Sequence, residues 1–125
     1  MAKKIFFLFS FSILALTVIL QFHSCEKYVL PELSFTPDTL YFTSTAQTKA
    51  VTLTTNVVWE TEISVDWIKS EPDFGEGDTL ISFTVEENNG DARNTSVNIK
   101  TETIQKALIV IQSASDTTSK GSYSF

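Results

Sequence analysis

The chain has 125 residues, 15 acidic against 9 basic side chains, and a formal net charge of −6. Nucleic acids and anionic membrane surfaces both demand basic patches, so this balance argues against either as a partner. A single cysteine permits no disulfide within one chain, and the fold must rest on its apolar core alone.

Lys3 and Lys4 precede an apolar run over residues 5–20 that is broken only by Ser10, Ser12 and Thr17. The run is short for a membrane span, which needs about 20 apolar residues. A basic segment followed by a brief apolar one is instead the pattern of a secretory signal. It leads into Phe22-His23-Ser24-Cys25, a small residue directly before the only cysteine. This resembles a bacterial lipoprotein signal. The resemblance implies removal of residues 1–24, acylation of Cys25, and an exported protein lipid-anchored to the cell envelope at the outer membrane. Losing Lys3 and Lys4 and no acid would move the net charge from −6 to −8. His23 would leave with the signal and Cys25 would be acylated, so the folded domain would hold neither as a free side chain. Ser-His-Asp and Cys-His nucleophile systems are then excluded, as are zinc sites built on His or Cys. Carboxylate-pair hydrolysis needs a cleft that a sandwich of this size seldom offers. We expect no enzyme, no metal and no cofactor.

Residues 25–32 form the acylated N-terminus and a short tether. Strand signals then recur about every ten residues with turn residues between them, the signature of an all-β sandwich. Leu33-Ser34-Phe35 precedes a Thr36-Pro37-Asp38 turn and Leu40-Tyr41-Phe42. Over residues 49–55, Val51 and Leu53 alternate with threonines. Trp59, Thr61, Ile63, Val65 and Trp67 then fall on one face, against Glu60, Glu62, Ser64 and Asp66 on the other. This stretch is longer than the usual strand of five or six residues, which predicts a break near residues 64–66 and one tryptophan on each of two short strands. Strict alternation with acids outward makes Trp59 and Trp67 core residues rather than a sugar platform. Residues 71–78 read as a loop. Over residues 79–86, Ile81, Phe83 and Val85 share one face, opposite Leu80. Asn88-Asn89-Gly90-Asp91 reads as a turn, braced by Arg93. Residues 95–101 alternate Val97 and Ile99 with polar side chains, and residues 107–111 are apolar on both faces, a central strand. Residues 113–125 form a Ser/Thr-rich tail.

The ordered set Asn56, Trp59, Trp67-Ile68, Pro72-Asp73-Phe74-Gly75-Glu76-Gly77, Phe83-Thr84-Val85, Asn88, Arg93 and Val110-Ile111-Gln112 resembles the BACON domain (Bacteroidetes-associated carbohydrate-binding, often N-terminal). The resemblance spans residues 33–112. It implies a single Ig-like β-sandwich, here of roughly seven to eight short strands, preceded by a lipoprotein signal peptide. It also implies glycan binding.

The candidate site is the stretch from Glu71 to Asp78, because loops on a rigid sandwich usually carry function. Phe74 would stack on a sugar face while Asp73 and Asp78 accept its hydroxyls; the competing reading is a solvated turn with Phe74 capping the core edge. Carboxylates at Asp73, Glu76 and Asp78 fit no EF-hand spacing. Thr39, Thr79 and Thr117 lie in Asp-Thr triplets that resemble the O-glycosylation sites of exported Bacteroidetes proteins. The reading is therefore a membrane-anchored lipoprotein with a weak, mucin-type glycan-binding module. The alternative is a non-catalytic spacer or protein-interaction module at the envelope.

Overall fold

The computed structural model describes residues 26–116, so Cys25, Thr117 and the signal segment lie outside the described residues. The chain divides into two units, residues 1–30 and 31–125. In the first, residues 26–30 carry no regular secondary structure.

The second unit is an all-β sandwich of nine strands: β1 (Leu33–Thr36), β2 (Thr39–Phe42), β3 (Gln47–Thr55), β4 (Val58–Glu62), β5 (Ile68–Glu71), β6 (Phe74–Glu76), β7 (Thr79–Val85), β8 (Arg93–Lys100) and β9 (Gln105–Gln112). One sheet has the order β1-β3-β7-β5, the other β2-β9-β8-β4-β6. Every pairing is antiparallel except that of β2 with β9, which is parallel. Seven of these strands, all but β5 and β6, overlap the strand runs of the sequence; the run through Trp67 ends one residue short of β5, so Trp67 precedes the second short strand instead of lying on it. β6 lies inside the stretch read as a loop, because three residues between Asp73 and Gly77 show no period.

Side chains on a strand alternate between faces, so each strand sends every second residue into the space between the sheets. Val51 and Leu53 from β3 and Ile81, Phe83 and Val85 from β7 meet Val97 and Ile99 from β8 and Leu108 and Val110 from β9, all fully buried. β9 is a central strand, yet only one of its faces is covered: Ala107 and Ile109 are exposed on the other. After β4 the chain passes through residues 63–67 to the opposite sheet, where β5 begins. Trp59 lies on β4 and Trp67 directly precedes β5; they are 1% and 9% exposed and belong to the same core cluster.

Polar side chains close the sandwich around Trp67. The Arg93 guanidinium stacks on the Trp67 ring, 4.2 Å from its centroid. Arg93 Nε donates to Gln112 Oε1 at 2.9 Å, and its Nη2 donates to the Glu86 carbonyl at 3.1 Å. The fully buried Gln112 spends its Nε2 on the same Glu86 carbonyl at 2.9 Å. Next to it, Asn88 Nδ2 donates to the carbonyls of Asp91 and Ser113, and its Oδ1 accepts from Gly90 N. The chain stays attached past β9, with Ser113 N on the Phe42 carbonyl and Ser115 N on that of Gly90. Among the described residues no buried side-chain polar atom lacks a partner.

Candidate functional site

Alternation along β4 sends Trp59 and Thr61 inward and leaves Val58, Glu60 and Glu62 on the outer face of the sheet. β6 pairs beside it, setting Glu76 opposite Val58, Gly75 opposite Trp59 and Phe74 opposite Glu60. Gly75 is what allows this approach. A Cβ at that position would stand 3.0 Å from Trp59 Cζ2, a contact so tight that the indole would have to give by a few tenths of an ångström. Gly77 follows with φ +73°, a left-handed conformation suited to glycine. Its carbonyl accepts the Trp59 Nε1 proton at 3.2 Å, and its N–H donates to the Val57 carbonyl at 3.3 Å. The glycine pair thus lays β6 flat against the indole and turns Phe74 outward, 70% exposed, beside Val58 at 63%.

These residues line an open groove of about 740 Å³ that continues to the β8–β9 turn. Glu60, Glu76, Lys100 and Glu102 surround Phe74 and Val58 there. β8 pairs with β4 on the side away from β6 and sets Lys100 opposite Glu60. Lys100 Nζ lies 3.2 Å from Glu60 and 3.7 Å from Glu62. A hydrogen bond to Glu60, then the attraction of Glu62 and Glu60, holds its pKa above the usual lysine value. Exposed pairs of this kind contribute little to stability; here they fix the position of the one ammonium in the groove. The arrangement offers an apolar platform ringed by hydrogen-bonding groups.

The structure does not gather Phe74, Asp73 and Asp78 into one site. Asp73 lies one residue from Phe74 but borders a different groove, of about 650 Å³, lined by Ile63, Val65 and Lys69 among others. Its backbone carbonyl holds β4, accepting from Thr61 N at 2.7 Å and Thr61 Oγ1 at 3.1 Å. Asp78 Oδ1 accepts the Thr55 N–H at 2.8 Å and so ties the end of β3 to the start of β7. Glu60, Glu76 and Lys100 are the partners that Phe74 does have. The outward direction of Glu60 is legible in the alternation around Trp59. Its proximity to Phe74 and Lys100 depends on pairings with β6 and β8 that leave no local signal.

Thr39 and Thr79 open β2 and β7 and are half-buried. Thr39 Oγ1 donates to Asp38 Oδ1 at 3.1 Å. Among the described residues, no group of three or more His, Cys, Asp or Glu side chains is placed to hold a metal ion.

Residues 57–113 match the BACON family model, described as "Putative binding domain, N-terminal". That span contains β4 to β9, and with them Val58, Glu60, Phe74, Glu76, Lys100 and Glu102. The fold is similar to part of a Bacteroides ovatus GH5 xyloglucanase solved in complex with a XXXG heptasaccharide. Identity is 23% and the TM-score 0.63, covering 69% of this chain and 19% of the xyloglucanase chain. This chain therefore matches less than a fifth of that enzyme's length. It is also similar in fold to a chain of the CsuC-CsuE chaperone-tip adhesion subunit pre-assembly complex of Acinetobacter baumannii. Identity there is 10% and the TM-score 0.53, over 66% of this chain and 57% of the other. No curated protein matches the chain.

Proposed function

We propose, from the BACON domain that residues 57–113 carry, that this protein is a non-catalytic exported lipoprotein whose sandwich binds glycan weakly. Acylated Cys25 would anchor it to the cell envelope at the outer membrane, as the basic and apolar segments before Ser24 imply. The exposure of Phe74 beside Val58, on a groove edged with carboxylates, is the observation that carries the binding reading. An aromatic ring turned to solvent stacks on the apolar face of a sugar, and neighbouring carboxylates accept its hydroxyl protons. Glu60 and Glu76 take the part that the sequence alone assigned to Asp73 and Asp78, since Asp78 is spent on Thr55 and Asp73 faces elsewhere. One exposed aromatic contact is worth about 1 kcal/mol, so even with hydroxyl hydrogen bonds beside it a single groove binds no tighter than roughly the millimolar level, about 4 kcal/mol in all. Many copies on one membrane would raise that by avidity. Mucin-type chains are the substrate class proposed, with O-glycan carried by the protein itself at Thr117 before Thr39 or Thr79.

The test is a glycan array probed with the protein at high surface density. Phe74→Ala should abolish binding and leave the melting temperature unchanged. Absence of binding to any glycan by the multivalent wild type would favour the second reading, a spacer or protein-interaction module. That reading draws on Tyr41 and Ile109, which are 64% and 40% exposed on β2 and β9, towards the other edge of the same sheet.

A further inference from the structure

We infer that the Phe74 groove takes glycans that carry no negative charge and rejects sialylated, sulfated or uronate-bearing chains. The inference rests on the glycan reading of the same groove and adds its selectivity. Three carboxylates, Glu60, Glu76 and Glu102, line the groove against one basic side chain, Lys100. That ammonium is already committed: Glu60 lies 3.2 Å and Glu62 3.7 Å from its Nζ. It stays protonated, because the same two glutamates hold its pKa above the usual value, but its charge is matched where it stands. To bind an anion it would have to leave two carboxylates for one.

The groove therefore presents an apolar platform inside a net negative rim. Glu60 sits directly across from Phe74 in the β4–β6 pair, and such cross-strand neighbours have Cβ atoms about 4.5–5.5 Å apart. A sugar stacked on the ring therefore lies next to the Glu60 side chain, whose Oε1 also faces Lys100 at 3.2 Å. For a hydroxyl the neighbourhood is favourable, since an ionised carboxylate is a strong acceptor. A second negative charge about 4 Å away costs roughly 1 kcal/mol in water, about a fivefold loss of affinity per close pair. The acidic balance of the whole chain adds to this at low salt. A mucin-type ligand would thus be met along its neutral sugars and not at its acidic caps.

The experiment presents the full-length lipoprotein in liposomes to pairs of glycans, each pair a neutral chain and its sialylated or sulfated counterpart. In every pair that binds, the neutral member should bind about fivefold tighter or more at 0.1 M salt. The gap should close towards 1 M salt, where the screening length falls to about 3 Å. Glu102→Gln, an exposed change on the groove that leaves Glu60 and Glu76 to accept hydroxyls, should narrow the discrimination. Equal or tighter binding of the charged members, still abolished by Phe74→Ala, overturns the selectivity and leaves the glycan reading standing. Binding to no member of any pair removes both.

Discussion

Trp59 and Trp67 are eight positions apart and share one core, but the two ends of that spacing are finished differently. Trp67 is roofed by the Arg93 guanidinium, and the groups around it are spent on one another: Arg93 on Gln112, Gln112 on Glu86, Asn88 on Asp91 and Ser113. Trp59 is roofed by backbone. Gly75 lies on its ring and the Gly77 carbonyl takes its indole proton, which leaves the side chains of that roof, Phe74 and Glu76, facing solvent. Covering an indole with a charged side chain uses up the surface; covering it with glycine backbone frees the adjacent side chains for another task. The contrast separates a closed, structural end of the stretch from an open one available to a ligand.

The strongest way to break this comparison is to remove the rings. Trp59→Ala should cost towards about 5 kcal/mol, since truncating a fully buried aromatic leaves a large cavity. Trp67→Ala should cost nearer about 3 kcal/mol, because that ring lies at the edge of the core under a side chain. Urea unfolding gives both numbers, and the reverse order would mean that the Arg93 roof is the more rigid of the two. Emission from the folded wild type should be blue-shifted and poorly quenched by iodide.

The next test opens the Trp67 end while keeping its ring. Gln112→Ala strips Arg93 Nε and the Glu86 carbonyl of a partner and should cost about 1–3 kcal/mol. Arg93→Lys should not be silent in the same assay, because an ammonium neither stacks as a plane nor reaches two acceptors in a fixed fork. Glycan binding should survive both changes, since neither residue lines the groove.

Gly75→Ala addresses the other roof. Its Cβ would press on Trp59 at 3.0 Å, and overpacking by one carbon should cost about 1 kcal/mol. The shift of β6 should weaken glycan binding beyond that loss, read by comparing array signal with melting temperature. The smallest effect on stability belongs to Phe74→Ala, within about 0.5 kcal/mol as for an ordinary surface position, with binding gone. A large loss of stability there would make Phe74 a cap on the core and end the comparison.

Period-two alternation was enough to mark Val51 and Leu53, Ile81, Phe83 and Val85, and Val97 and Ile99 as inward faces, and these residues are buried. Side-chain direction on a strand is a local property, so it can be read without knowing the neighbours. The same reasoning placed residues 107–111 centrally in a sheet but expected both faces covered; only the pairing of β9 between β2 and β8, with its outer face open, shows where Ile109 stands. In the site, the aromatic in a glycine- and acid-rich stretch was legible, but its company was not. Phe74, Glu60 and Lys100 come from three strands, and their meeting is decided by register between β6, β4 and β8. Asp78 reads as a ligand group until Thr55, 23 residues away, takes its oxygen. Composition and alternation determined that this chain folds as a sandwich and which way its strands face. Strand pairing, a long-range choice made by the buried core as a whole, decided which outward side chains stand together and so what the surface can hold.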